Sequence, residues 1–467
     1  MDFWRITYIS QDKYDPLREF YYIKRDEILE KYIDLWKELK GVVSFPIKYS
    51  DDLSSFKLIT LHWCREDSCL MPPFATIPTN GFYIMIYPLY NSKMVFSIPN
   101  FLKDLWGDRI PSWGSFIDNK AGKLYYDSTV SSGSFLLDAI CMFSGYLCDQ
   151  GDVEQIGQIE LFIYPLSRTM IAKIVWKLRL KGLEWNRYLK LLQNRSAHVE
   201  IGLLDPISDV TKRTKYIWRK AILGQLNILE PYTTFFSNDF LHNSFIHSEV
   251  TSSTGFHKKI RSKITISQLL NDSCSLYILY YLPKFIYVDK YQLENLAQFN
   301  IGNLKKIHFI HGETDLEAPS WQLNKWGSLI LVEALFYQNI SFFIDLPIHL
   351  RYHLPMLHNF HSFNLSLPTS FFFCHSAKGI YPSNSPFLSS WLLFHNYFSK
   401  NGSFYFLNHS IQNYSTSMTI HTPILYSNHI LFVQIATFLV ISISFFYIFF
   451  KILIQLHFLG IFIHNST

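Results

Sequence analysis

Two histidines, an arginine, a tyrosine and two prolines stand within eleven residues, DLPIHLRYHLP, from Asp345 to Pro355. His349 and His353 are four apart, the spacing with which a helix presents two imidazoles to one zinc ion, and His358 and His361 follow. Pro347 and Pro355 bracket the pair, and a proline pushes the residue before it out of the helical region, so the rings are not expected to converge on a metal. A second chemistry-bearing stretch, HGETDLEAP from His311 to Pro319, sets Glu313, Asp315 and Glu317 at alternate positions. On a strand these acids would share one face and could hold a cation or act as acid and base. Between two strands they make a polar turn, which is the reading we adopt. The chain has no G-x-S-x-G elbow, no H-E-x-x-H, no phosphate-binding loop and no G-x-G-x-x-G. Neither catalysis nor a cofactor or metal is expected.

The elements that must position these residues read as mostly β. The chain of 467 residues is 49% hydrophobic and only 17% charged, enough for two or three cored domains. Its 41 Phe and 29 Tyr favour sheet surfaces. The net charge of +5 is spread without a basic block, which argues against nucleic acid. FKLITLHW (Phe56 to Trp63), FYIMIY (Phe82 to Tyr87), SLYILYYLP (Ser275 to Pro283), KKIHFI (Lys305 to Ile310), SLILVEALFY (Ser328 to Tyr337) and SFFIDLP (Ser341 to Pro347) are expected strands. With few helical patterns between the later ones, an antiparallel, sandwich-like arrangement is expected. Helical spacing of apolar residues predicts helices over DEILEKYIDLWKELK (Asp26 to Lys40) and TMIAKIVWKLRLKGLEW (Thr169 to Trp185). Ser399 to Ser427, rich in Ser, Asn, Tyr and His, reads as a juxtamembrane stalk.

From Ile430 to Phe450 runs ILFVQIATFLVISISFFYIFF, 21 residues without a charge, long enough at about 1.5 Å per residue to cross about 30 Å of hydrocarbon. The expected organisation is therefore an N-terminal mixed α/β region over 1–252, a β-rich domain over 253–426, a transmembrane helix over 430–450 and a short tail over 451–467. The first residues carry no recognisable signal peptide. Asn194, Asn271, Asn339, Asn364, Asn401, Asn408 and Asn413 nevertheless sit in glycosylation sequons ahead of the span. Lys451 follows the span, as positive-inside bias expects of a cytoplasmic side. A lumenal body with a cytoplasmic tail is expected. Six cysteines allow pairing there, with Cys64 to Cys69 and Cys141 to Cys148 as candidates, while free buried thiols are the alternative for Cys274 and Cys374 as for the rest.

Five blocks resemble one family in order: GFH (Gly255 to His257), LPKFIYVDKYQL (Leu282 to Leu293), HGETDLEAPSW (His311 to Trp321), PIHLRYHLP (Pro347 to Pro355) and LPTSFFFC (Leu367 to Cys374). Together with the single span they resemble the PIG-X family in its larger fungal form, from about Ser253 onward. The resemblance implies a non-catalytic subunit that stabilises a polytopic mannosyltransferase, the enzyme adding the first, α1,4-linked mannose in glycosylphosphatidylinositol (GPI) anchor synthesis in the endoplasmic reticulum membrane. The alternative it implies is a general lumenal folding chaperone, including for vacuolar protease processing. Within PIHLRYHLP the prolines hold the chain extended and Arg351 offers five donors in a rigid fork, suited to a carboxylate or to backbone carbonyls. Asp315 or Glu317 is the expected carboxylate. His311, Asp315, Glu317, Pro347, His349, Arg351, Tyr352 and Pro355 thus form the expected structural or interface set.

Overall fold

A computed structural model describes residues 3–9, 36–46, 53, 55–65, 81–89, 102–103, 106–107, 110–119, 122–144, 156–176, 198–208, 214–223, 229–237, 240–251, 255–266, 274–336, 341–375, 397–398, 402–409 and 417–464. Two large sheets dominate them. The first holds β1 (Phe3–Ile9), β2 (Trp36–Pro46), β3 (Phe56–Cys64), β4 (Gly81–Pro88), β5 (Ile117–Asn119), β6 (Gly122–Asp127), β7 (Ile156–Tyr164), β8 (Thr169–Trp176), β9 (His198–Ser208), β10 (Thr214–Leu223) and β11 (Leu229–Ser237). Their spatial order is β11-β10-β9-β1-β2-β8-β7-β3-β4-β6-β5. One helix, α1 (Ser134–Ser144), accompanies this sheet, with Phe135 edge-on to Phe82 of β4.

The second sheet begins with β12 (Phe240–Thr251), β13 (His257–Thr265), β14 (Cys274–Pro283), β15 (Ile286–Tyr287), β16 (Leu304–Gly312), β17 (Gly327–Ala334) and β18 (Ser341–Leu350). After the hairpin partner β19 (Phe360–Ser366) come β20 (Thr369–His375), β21 (Gly402–His409) and β22 (Ser417–Pro423). The order is β15-β18-β13-β12-β21-β20-β14-β17-β16, and β19 pairs with β22 in a separate two-stranded sheet. Pairing is antiparallel except between β1 and β9 and between β12 and β21. The fold class is thus the expected mostly antiparallel β, followed by α3 (Ile430–His464), to which α2 (Lys290–Gln298) adds one short helix. Ser427–Leu456, beginning three residues ahead of α3, is long and apolar enough to cross a membrane.

Central strands of the second sheet are buried on both faces, so their sequences read as continuous apolar runs instead of alternating ones. Every residue of β17, GSLILVEA, is buried. On one face Leu276, Ile278, Tyr280, Leu282, Ile330 and Val332 pack with Phe372 and with Leu293 of α2. On the other, Tyr277, Leu279, Tyr281, Leu329, Leu331, Phe371 and Phe373 meet Tyr83, Met85, Leu124 and Tyr126 of the first sheet. Trp326 ties the two together: its backbone N–H donates to Ser115 O (3.1 Å) and its indole N–H to Leu124 O (3.2 Å). Tyr126 lies 5.1 Å from Tyr281 and 5.4 Å from Trp326, ring centre to ring centre.

Three sequence expectations are corrected. Thr169–Trp176 is β8, not helix: Met170, Ala172 and Ile174 turn inward at every second position, and the β-branched Ile and Val suit that pleat. Lys173 then points outward over the Phe162 ring at 4.3 Å, while 177–185 lie outside the described residues. Trp36–Lys40 belongs to β2, paired with both β1 and β8; long-range pairing overrides its helical spacing, and 26–35 lie outside the described residues. The expected stalk contains two sheet strands, β21 and β22. In β22 Met418, Ile420 and Thr422 alternate inward, a period-2 pattern that polar composition alone conceals.

Candidate functional site

Four of the five sequence blocks meet around Arg351, which is 2% exposed. The strand β18 brings it there. In the register of β13 against β18, Lys259 stands opposite Pro347, Lys258 opposite Ile348 and His257 opposite His349. β15 pairs with the end of β18, Ile286 opposite Leu350 and Tyr287 opposite His349. The N–H of Leu350 donates to Phe256 O (2.8 Å) and that of Arg351 to Phe285 O (2.9 Å). Leaving β18, the guanidinium lies 4.5 Å above the Tyr287 ring and its Nη1 donates to Ala318 O at 2.7 Å.

The turn 313–321 folds to meet this donor. Asp315 organises it by accepting from the N–H groups of Glu317 (2.9 Å) and Ala318 (3.0 Å), which hold its carboxyl below the usual range. Ser320 closes the far end, donating from both its N–H (3.1 Å) and its hydroxyl (3.0 Å) to Tyr352 O. At the base of the turn Gly312 has φ +116°, and a Cβ there would sit 2.3 Å from Gly327 O. Only glycine serves where the two strands cross so closely.

Arg351 does not pair with Asp315 or Glu317 as expected; a carbonyl and an aromatic face receive it, and its Nε and Nη2 have no hydrogen-bond partner among the described residues. Burial pulls the guanidinium pKa down, and Glu313, Tyr287 and Asp315 offset this at longer range.

The histidines divide between two places. His349 donates from Nε2 to Gln292 Oε1 (3.0 Å), so its Nδ1 accepts from His257 Nδ1 (2.8 Å), and its ring stacks on Tyr287 at 5.1 Å. Burial, then the neighbouring His257, lowers its pKa. Gln292 is itself placed by α2, whose first turn is capped by Asp289 accepting from Tyr291 N–H (2.8 Å). His353 instead packs on Phe285 (5.0 Å) and His361 (4.5 Å) and faces the Ser320 hydroxyl at 3.3 Å. Burial, with His361 and Lys284 beside it, pushes its pKa down to about 4. His311 lies elsewhere, hydrogen-bonded to the Tyr397 hydroxyl, which donates to Asn119 Oδ1 of β5 at 2.9 Å. Among the described residues no three His, Cys, Asp or Glu side chains gather as a metal site.

The fifth block contributes β20, joined to β14 by a disulfide between Cys274 and Cys374, which stand in register across the two strands. Spacing gave no hint of this pair, since 100 residues separate them. Cys69 and Cys148, and with them both pairings expected from spacing, lie outside the described residues. So do the sequons at Asn194, Asn271, Asn339, Asn401 and Asn413. Asn364 is exposed on β19, and Asn408 belongs to β21. Tyr287, Phe285, Ser320 and Trp326 were missed as site residues. The first three lay inside the quoted blocks, and they act through rings, main-chain groups and the Ser320 hydroxyl, none of which a spacing rule marks.

Just after Arg351 the backbone touches the residues that precede the apolar helix. Tyr352 packs on Phe256 (4.8 Å), and the Met356 backbone bonds to Leu425 and Ser427, immediately before α3. The class the structure defines is a β-rich body with a buried arginine motif and, after it in the chain, one helix long and apolar enough to cross a membrane. Residues 253–453 match the family PIG-X / PBN1. Relatives are Protein pbn1 of Emericella nidulans, 28% identical over 57% of this chain and 56% of that one, and Protein pbn1 of Schizosaccharomyces pombe, 30% identical over 42% and 55%. Protein pbn1 of Aspergillus fumigatus is 25% identical over 82% and 79%. The first two matches span about half the length of those relatives.

Proposed function

We propose that this protein is a non-catalytic subunit of the GPI mannosyltransferase that adds the first, α1,4-linked mannose to the anchor precursor, and that it stabilises the polytopic catalytic subunit in the endoplasmic reticulum membrane. The match of residues 253–453 to the family PIG-X / PBN1 carries this reading. It is supported by the placement of the family's blocks: they build a structural joint of carbonyl, ring and arginine contacts, with no nucleophile activated and no acid–base pair aligned in it. The body is taken to be lumenal, which the Cys274–Cys374 bridge and exposed Asn364 support, since such bonds persist in oxidising compartments. The span and its seventeen-residue C-terminal neighbourhood from Lys451 then face the cytoplasm at their end.

The test is to deplete the protein and follow radiolabelled anchor precursors together with the amount of the catalytic subunit. Accumulation of the unmannosylated glucosaminyl-acylinositol lipid with loss of that subunit is expected. Normal precursor flow with the subunit intact would refute the proposal.

A further inference from the structure

Soluble β domains bury large apolar side chains or scatter them singly over the surface. This body departs from that rule beside the arginine motif. Between the Arg351 motif and β19, Tyr352, Leu354 and Leu357 are 64%, 54% and 70% exposed, and Phe360 is equally open. Across from them Trp321, beside the Ser320 bond to Tyr352 O, is also exposed. The patch has a fixed address. Met356 N–H donates to Leu425 O (3.2 Å) and Met356 O accepts from Ser427 N–H (2.9 Å). Phe360 stands in register with Pro423, and Ile424 N–H donates to Asn359 O (3.0 Å). The apolar segment is therefore stitched along its length to the last residues before α3.

The depth of that stitching follows from the helix. With Lys451 at the far edge of the hydrocarbon, about 30 Å of helix at 1.5 Å per residue leads back to Leu431 at the near edge. Ser427 and the Met356 strand bonded to it then sit about one helical turn higher, at the level of the headgroups, a layer roughly 5–8 Å thick on each side. Trp and Tyr rims with Leu and Phe beneath are the composition this layer selects. No Asp or Glu follows Asp345 in the sequence, so 352–360 and the helix carry no carboxylate, and the exposed Asp315 and Glu317 on the turn that bears Trp321 are the acids nearest the rim.

We infer that residues 352–360, with Trp321 at their rim, are a membrane-surface platform that dips into the phospholipid headgroup layer beside α3, giving the body a second attachment to the bilayer and a fixed tilt. The occupant is lipid, not a protein, because the segment's bonds to 425–427 place it at headgroup level when Lys451 marks the far edge of the hydrocarbon.

The test uses the full chain reconstituted in phosphatidylcholine–phosphatidylinositol nanodiscs, with Leu357→Cys carrying an environment-sensitive NBD fluorophore. Phe438→Cys, in mid-helix, sets the deep reference, and Phe343→Cys, exposed near the opposite end of β18, sets the aqueous one. The expected result is a blue-shifted Leu357 emission, lost on adding lipids with a shallow acyl-chain spin label and spared by a deep one. Emission matching that of Phe343→Cys, or a blue shift insensitive to spin-labelled lipid, would overturn the inference. Leu354→Cys repeats the measurement at a second position, so that failure of one variant to fold does not decide it.

Discussion

Replacing Arg351 by alanine removes three things at once. The charge-assisted bond to Ala318 O at 2.7 Å contributes about 1.5–3 kcal/mol, and a desolvated cation over the Tyr287 ring about 1–2 kcal/mol. The aliphatic stem also leaves a hole in a site that is 2% exposed. Against this, the buried guanidinium has two nitrogens unpartnered among the described residues, and relieving that desolvation returns part of the loss. What stays behind is a neutral carbonyl and a ring, not a stranded carboxylate, so the net destabilisation should be about 2–4 kcal/mol, below the usual cost of breaking a buried ion pair. Arg351→Met, which fills the space without the charge, should cost less than Arg351→Ala. The assay is urea unfolding of the detergent-solubilised chain, with cellular abundance and co-purification of the membrane partner scored in parallel. Wild-type midpoints for Arg351→Ala would refute the structural account. If stability were intact and the partner lost, Arg351 would belong to an interface instead.

Opening the Cys274–Cys374 bridge by Cys274→Ser with Cys374→Ser should cost about 3–5 kcal/mol, because it frees a loop of 100 residues; an unchanged denaturation midpoint would show that the β14–β20 pairing is held by its phenylalanines alone. Gly312→Ala must drive a Cβ against Gly327 O and adopt a positive φ, for a loss of about 2–4 kcal/mol in thermal unfolding, whereas Gly255→Ala, with open space around it, should lose only about 1 kcal/mol of backbone strain. Acid should weaken the fold through His353: its folded pKa of about 4 lies below the ordinary value of 6.5, so the neutral ring's contribution is complete above pH 6.5 and drains away as pH falls from 6.5 to about 4. His353→Gln should flatten that part of the stability profile, and an unaltered slope would assign it elsewhere, with buried His62, also lowered to about 4, the first to examine. A fragment beginning at residue 240 should be insoluble or molten when the full body is not, as judged by near-ultraviolet circular dichroism.

The sequence announced these features unequally. Strands such as β14 and β17 were legible because burial on both faces left unbroken apolar runs bounded by turns. β8 and β2 were not, since TMIAKIVW satisfies both a 3.6 and a 2.0 period over so few residues and only the partners across the sheet choose between them. At the site, the proline-bracketed extension of PIHLRYHLP and the polar turn of HGETDLEAP were readable from backbone preferences. Arg351's partner was not: a donor facing a main-chain carbonyl leaves no complementary side chain to find, so the search for charge settled on Asp315 and Glu317. The disulfide was invisible for a related reason, its register being set by β14 against β20 across a hundred residues.

The inter-sheet face assigns a physical role to the N-terminal half. Within the core shared by the two sheets, Tyr281 packs on Tyr83 and Tyr126 and Trp326 packs on Tyr126, so removing the first sheet would bare these two rings. At about 1.5–3 kcal/mol for each large apolar side chain, their exposure alone would cost roughly 3–6 kcal/mol, comparable to the net stability of an ordinary domain. Polar contacts then fix how the sheets meet: Trp326 bonds to both Ser115 and Leu124, and its own carbonyl accepts from Lys284 N–H at 2.8 Å, one residue from Phe285, whose carbonyl holds Arg351. A continuous run of short bonds thus passes from the first sheet through Trp326 and the Lys284–Phe285 turn to the arginine motif, and from Met356 to the start of the membrane helix. The first sheet is thereby coupled to the backbone that precedes the apolar helix, so a substitution at the inter-sheet face should be felt at the arginine motif as well.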